Sequence, residues 1–285
     1  MTIEISGKQA LIINKNGAKI INLEKKIHKL KNILKDMGSA VIAFSGGVDS
    51  SLLVKIAAGT LDKNVIAVTA KSPLLPKKEL ALAKKMSKSL GCRHIIVNSN
   101  VLEIKEFLNN PKNRCYLCKK QFFLKLILLK NEYNLNFVID GTNFDDLYLY
   151  RPGLKAAEEL GVRSPLAECR LSKEEIRKYS KLAKLSFWDK PASSCLATRI
   201  PYGEKISKSR LEKISAAEEY LHFLGFSHNR VRCYYPTAKI EVPKKEIPKI
   251  FQPDISEKII KKFKKIGFRH ITIDIEGYRT GSMNE

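Results

Sequence analysis

Ala40-Val41-Ile42-Ala43-Phe44 is an apolar run of strand character, and Ser45-Gly46-Gly47-Val48-Asp49-Ser50-Ser51 follows it directly. The join suits an anion. Gly46 and Gly47 have no Cβ, so the backbone can turn sharply and bring its N–H groups close to a phosphate. From Val48 the pattern reads as a helix, whose N-terminus adds unpaired N–H groups and the positive end of a dipole. Ser45, Ser50 and Ser51 add hydroxyl donors. Asp49 is misplaced beside a bare anion but sensible where Mg2+ bridges it to phosphate oxygens. No Gly-Lys-Ser/Thr follows, so the loop is not a Walker A, and it is not GxGxxG. The bland alternative, a turn of small residues capping a helix, is outweighed by so specific a pattern after an apolar strand.

The flanking chain alternates. Strands are expected at Val65–Thr69, His94–Val97 and Phe137–Asp140, and helices at Val48–Ala58, Lys77–Leu90 and Cys118–Glu132. Apolar strands separated by helices predict an α/β fold with a parallel sheet covered on both faces. A short arm and then a helix carrying Leu23, Ile27, Leu30 and Leu34 precede it, ended by Gly38. Around Ser186–Tyr202 the periodicity is lost, at Trp188, Pro191 and Pro201. Beyond lie a helix (Ser209–Leu224), a hairpin-like pair (Arg230–Tyr235, Ala238–Val242), a helix (Ser256–Ile266) and a strand (His270–Ile275). This predicts a first domain over residues 1–200 and a small α+β domain over 201–285.

Six cysteines occur, at 92, 115, 118, 169, 195 and 233. In a chain with no evident secretion signal they argue for a metal, a cluster or a reactive thiol rather than a disulfide framework. Cys115-Tyr116-Leu117-Cys118 is expected in a loop opening the apolar helix, where the dipole favours thiolates. That spacing suits a metal or iron ligand pair, or a dithiol redox pair. Cys195 falls in the irregular stretch, as a reactive or ligating thiolate would. Cys92, Cys169 and Cys233 read as structural. Arg230 and Arg232 share one face of an expected strand, and two guanidinium forks on one face can hold a phosphate. Arg199 follows Cys195 closely enough to orient a carboxylate or phosphate.

Lys and Arg total 52 against 29 Asp and Glu, a net charge of +23. That raises a polyanion partner, but 40 of the 52 are lysines spread over nearly every helix face, the mark of a solvated basic surface. No run of about 20 apolar residues is present, so no membrane contact is expected, and a cytoplasmic location is the default.

Ser45–Ser51 resembles the PP-loop of the ATP pyrophosphatase superfamily, whose fold is the adenine nucleotide alpha hydrolase-like sheet. Further motifs are similar to the LarE family: Asp140-Gly141-Thr142-Asn143 with Asp145-Asp146, Tyr150-Arg151-Pro152-Gly153, Ser164-Pro165-Leu166 with Glu168 and the helix Lys173–Tyr179, Lys190-Pro191-Ala192-Ser193-Ser194-Cys195-Leu196-Ala197-Thr198-Arg199-Ile200-Pro201-Tyr202-Gly203, and Gly277-Tyr278-Arg279-Thr280-Gly281-Ser282. Leu149 stands where that family often carries Asp. The resemblance implies an ATP-dependent sulfur transferase of nickel-pincer nucleotide synthesis. Such an enzyme adenylates pyridinium-3,5-biscarboxylic acid mononucleotide and converts its carboxylates to thiocarboxylates. It further implies ATP and Mg2+ on Ser45–Ser51, with Gly141 nearby and adenine at Thr69–Ser72, the substrate phosphate on Arg230 and Arg232, and Cys115, Cys118 and Cys195 holding a [4Fe-4S] cluster. Cys195, Asp49 and Arg199 are the expected catalytic residues, and the chain is expected to form a homo-oligomer. A tRNA-thiolating PP-loop enzyme, with tRNA as partner, is the alternative. A non-catalytic nucleotide- or RNA-binding protein with a structural zinc is the third reading.

Overall fold

The computed structural model describes residues 15–149, 151–191 and 194–279. The arm expected ahead of the first helix lies outside the described residues, as do Tyr150, Ala192, Ser193 and Thr280-Gly281-Ser282 of the quoted motifs. Seven strands occur among the described residues: β1 (Ala40–Ala43), β2 (Val65–Lys71), β3 (Arg93–Asn98), β4 (Phe137–Asp140), β5 (Arg230–Tyr234), β6 (Thr237–Glu241) and β7 (His270–Ile273). Each lies where the apolar pattern put it.

β1 to β4 form one sheet in the order β3-β2-β1-β4, with β1 pairing in parallel to both β2 and β4. Ala40, Val41 and Ile42 are all buried. Successive strand residues point to opposite faces, so both faces of this sheet are covered. The Lys15–Met37 helix contributes Leu23, Ile27, Leu30 and Leu34 to the core, and the Val48–Leu61 helix contributes Leu52, Leu53 and Ile56. The first helix ends at Gly38, where φ of +71° lets its N–H close onto the carbonyls of Leu34 and Lys35. After β1 the chain moves outward through β2 to β3, then returns to the other side of β1 for β4. In such sheets that reversal marks the usual ligand position, at the carboxyl ends of β1 and β4.

β5 and β6 are antiparallel and β6 pairs in parallel with β7, giving a second, mixed sheet. Val231, Cys233, Ala238 and Ile240 belong to a core with Leu211 and Ile214 of the Lys208–Phe223 helix and Phe263 of the Pro253–Ile266 helix. The opposite face carries Arg230 and Arg232.

The chain divides into two compact units that interleave along the sequence. One takes the chain up to Thr69, then Ala83–Ile96 and Phe123–Pro191; the other takes Ala70–Leu82, Val97–Phe122 and the chain from Ala192. One element differs from expectation. The helix expected from Cys118 starts at Arg114 and runs to Glu132. The Arg114 N–H already donates to Pro111 O and that of Tyr116 to Asn113 O, so the first turn closes before the cysteine pair. Cys115 and Cys118 therefore lie inside a helix at i and i+3, on one face.

Candidate functional site

In the first unit, the loop after β1 turns at Gly46, whose φ is +69°. A Cβ there would lie 3.2 Å from the Ala83 Cβ. Two of the three serine hydroxyls expected as phosphate donors, those of Ser45 and Ser50, are spent on the loop itself. Ser45 Oγ accepts from the Gly47 N–H (3.2 Å), while Ser50 Oγ accepts from the Ser45 N–H (3.3 Å) and donates to Gly47 O (3.2 Å). They shape the turn and leave the anion to the backbone. Gly47 caps the following helix with no side-chain bond, so the helix N–H groups are not covered by a capping side chain. Ser51 Oγ and Asp49 Oδ1 are buried without a hydrogen-bond partner. An orphaned carboxylate oxygen is expensive unless something completes it. Gly141 follows β4, and a Cβ on it would lie 2.9 Å from both Cα and N of Ser50. Only glycine lets β4 approach the loop this closely.

Two lysines that sequence reasoning left unassigned meet this loop. Lys173 Nζ donates to Asp49 Oδ2, and Lys190 Nζ donates to Gly46 O at 2.8 Å. Each is held from behind. The Lys173 N–H donates to Asp145 Oδ2 (2.8 Å), and Ser172 and Glu175 form a reciprocal capping box at that helix start. Arg177 binds the carbonyls of Trp188 (2.8 Å) and Lys190 (2.7 Å). The signal was present in the sequence, since both lysines lie in motifs quoted above or beside them. Asp140 accepts from Thr142 N and Thr142 Oγ1 and from Ser164 Oγ, at 2.8 to 3.0 Å, which ties the end of β4 to Ser164-Pro165-Leu166. Burial pushes the Asp146 carboxyl up, opposed by Arg151 at 2.7 Å; the nearby Asp49 adds to the rise.

In the second unit, Cys195 caps the short turn Leu196–Arg199. Cys115, Cys118 and Cys195 are electrostatic neighbours. The Cys118 thiol is pushed up to about 12, first by burial and then by Cys195 and Cys115. Burial thus outweighs the helix dipole expected to favour its thiolate. As they stand, no three His, Cys, Asp or Glu among the described residues form a group that could hold a metal ion. Asn110 braces this region. Its Nδ2 donates to Ile200 O (3.0 Å) and Pro201 O (2.6 Å), its carbonyl accepts from the Gly203 N–H (3.1 Å), and its Oδ1 accepts from Arg114 (2.8 Å).

Arg199 is buried, with Nε and Nη2 on the two Glu218 oxygens (2.8 and 3.1 Å) and Nη1 on Ser194 Oγ (2.6 Å) and Cys195 O (3.2 Å). Its fork is occupied, and it fixes the Cys195 turn. Glu218 also accepts from the Val231 N–H (3.0 Å). Its neighbour Glu219 accepts instead from Ser215 Oγ at the surface (2.9 Å). Arg230 pairs across the sheet with Glu241, and Arg232 with Lys239, so both arginines face one side with Glu241. Arg232 Nε donates to Glu241 Oε1 at 2.8 Å, and its Nη1 donates to Thr198 O at 2.6 Å. Cys169 and Cys233 are buried and Cys92 half-buried, as structural thiols are.

A cavity of about 590 Å³ opens in the same unit. Ser72 and Asn98 line it where the chain leaves β2 and β3, with Leu196 and Glu219 opposite. Leu196 directly follows Cys195.

Residues 32–110 match the asparagine synthase family. A Synechocystis protein of uncharacterized function is 42% identical over 92% of this chain and 98% of its own. A Methanocaldococcus jannaschii protein, likewise uncharacterized, is 37% identical over 90% and 98%. The pyridinium-3,5-bisthiocarboxylic acid mononucleotide synthase of Lactiplantibacillus plantarum is 34% identical over 88% of this chain and 91% of that enzyme. With a parallel sheet, the glycine-turned loop after β1 and this likeness along nearly its whole length, the chain belongs to the LarE family of ATP-dependent PP-loop sulfur transferases.

Proposed function

We propose that this protein activates a carboxylate of pyridinium-3,5-biscarboxylic acid mononucleotide with ATP and replaces its oxygen by sulfur, within nickel-pincer nucleotide synthesis. The observation that carries the proposal is Asp49. One oxygen is neutralised by Lys173 while the other is buried without a partner, in a glycine-turned loop at a helix N-terminus. A metal-bound polyphosphate completes that arrangement. Asp49 would hold Mg2+, which spreads the charge of the phosphates during transfer. The backbone from Ser45 to Ser51, including Gly46, Gly47, Val48 and Ser50, would cradle the phosphates, with Gly141 closing the approach and Ser72 beside the adenine. The substrate carboxylate attacks the α-phosphorus, the bond to pyrophosphate breaks, and Lys173 offsets the charge on the leaving group. Incoming sulfide attacks the acyl carbon, the bond to AMP breaks, and the thiocarboxylate and AMP are left with one proton released.

Cys115, Cys118 and Cys195 would hold a [4Fe-4S] cluster. It would supply sulfur that can be replenished between turnovers, where a sacrificed side chain would serve once. One observation supports this choice: Cys195 and Cys115 both act electrostatically on the buried Cys118, as thiols near one another do. A cluster binds its thiolates on separate irons, so it does not need the tight group that a single ion requires. Arg199 would orient the Cys195 turn, and Arg230 with Arg232 would take the substrate phosphate. Anaerobically purified protein given ATP and the mononucleotide should release pyrophosphate and AMP, and the substrate should exchange oxygen for sulfur by mass. It should contain iron and acid-labile sulfide, with a brown colour lost in Cys115→Ala. Stoichiometric zinc without iron would refute the cluster; sulfur appearing on tRNA instead would refute the substrate.

A further inference from the structure

Three arginines share the polar side of the second unit: Arg199, Arg230 and Arg232, at 6, 8 and 1% exposure. Two are matched by carboxylates, Arg199 by Glu218 and Arg232 by Glu241. Arg230 enters no ion pair among the described residues. Burial lowers its pKa most, Tyr278 works against it, Arg199 and Arg232 lower it further, and the Glu241 carboxylate across the sheet raises it, without an ion-pair contact. Its guanidinium carbon lies 4.5 Å from the centre of the Tyr278 ring. A carboxylate partner would occupy the donor fork. A ring face attracts the cation through its quadrupole and leaves the N–H donors available for an oxyanion. Three cations against two carboxylates leave one positive charge unmatched in a buried setting, and it is the one held by a ring.

The ring is placed by a built turn. Asp274 Oδ2 takes the Lys239 ammonium at 2.8 Å, and Oδ1 accepts from the Glu276 N–H at 3.0 Å. Gly277 donates to Asp274 O (3.1 Å) and has φ of +78°, with its Cβ position 2.8 Å from Val242 O. The Tyr278 N–H then donates to the same Val242 O at 2.9 Å. We propose that Tyr278 is the positioning residue that aims Arg230 at the phosphate of the mononucleotide, and that Asp274–Tyr278 is the turn that sets it. The proposal rests on the function above through that phosphate. It gives the Gly277-Tyr278 motif a role, and it makes Arg230 the arginine aimed by a ring, beside Arg232, which Glu241 and Thr198 O brace on the same face.

Calorimetry with nicotinic acid mononucleotide, and with the corresponding riboside lacking the phosphate, tests it. Tyr278→Leu should bind the mononucleotide about tenfold more weakly and the riboside unchanged. In turnover it should raise KM for the substrate and spare kcat. Tyr278→Phe should restore both, since the ring suffices. In an Arg230→Met background, Tyr278→Leu should add nothing. Parent-like binding in Tyr278→Leu, alongside a loss in Arg230→Met, would overturn the role of Tyr278 and leave the phosphate on Arg230. An equal loss for the riboside would also overturn it. Unchanged mononucleotide binding in Arg230→Met would overturn the assignment of the phosphate itself. Should Tyr278→Leu fail to fold, Gly277→Ala reads the same question, because it must shift the turn while keeping the ring. Parent-like mononucleotide binding there would sink the proposal.

Discussion

Gly141→Ala separates packing at the phosphate loop from ordinary loss of stability. The added Cβ would stand 2.9 Å from the Cα and N of Ser50. Both are backbone atoms, so no side chain can turn aside. Overpacking of this sort costs about 1–3 kcal/mol. Ser50 can retreat only by disturbing its bonds with Ser45 and Gly47, so the shift enters the loop that would hold the phosphates. A displacement of about 1 Å in such a site can cost about 100-fold. Gly161→Ala is the control. Its φ is +65° with open space around it, so the change brings backbone strain of about 1–2 kcal/mol and no collision. Both variants should unfold at lower urea concentration. Only Gly141→Ala should lose Mg·ATP affinity by calorimetry, by about tenfold or more. Parent-like ATP binding in Gly141→Ala, or an equal loss in Gly161→Ala, would refute the reasoning.

Asp49→Asn keeps the loop's shape but removes the charge facing Lys173, and pyrophosphate release should fall by about 100-fold or more; a coupled phosphate assay showing a near-parent rate would exclude Asp49 from catalysis. Glu218→Ala leaves Arg199 buried without its carboxylate and the Val231 N–H without an acceptor, which should cost about 3–5 kcal/mol in urea unfolding; a loss below about 1 kcal/mol would show the pair to be dispensable. The hydrogen bond from Lys239 holds the Asp274 carboxyl below its ordinary range despite partial burial. Its contribution is therefore present above the unfolded value of about 4 and lost as pH falls through the folded one. Asp274→Asn should melt below the parent near neutral pH, and the gap should close in acid; a constant gap on acidification would contradict the linkage.

The strands were legible because burial on both faces leaves apolar runs, and the phosphate loop because glycine pairs and Asp49 have few other uses together. The sequence pattern puts the cysteine pair in a loop opening the helix, with Asn113 and Arg114 before it; Pro111 O instead accepts from the Arg114 N–H and starts the turn that carries the helix through the pair. Lys173 and Lys190 were visible as residues but not as loop contacts, since their distance to Asp49 and Gly46 depends on how β4 and the following helices fold back. The same holds for the arginines. Period two puts Arg230 and Arg232 on one side, but only the strand register and the Lys208–Phe223 helix reveal which arginine is matched by Glu218, which by Glu241 and which by neither. The interleaving of the two units has no local signature, because it is decided by contacts between segments far apart in the chain.

Asn110 adopts φ of +52° and joins the approach to the cysteine-bearing helix to residues 200–203. Neither segment can let go of it without the other losing its polar partners. In hydrogen exchange the amides of Gly203, Arg114 and Tyr116 should therefore open as one cooperative event rather than fray in turn. One asparagine thus works as an assembly jig, bringing the Cys115–Cys118 turn and the chain leaving Cys195 into register before any iron arrives.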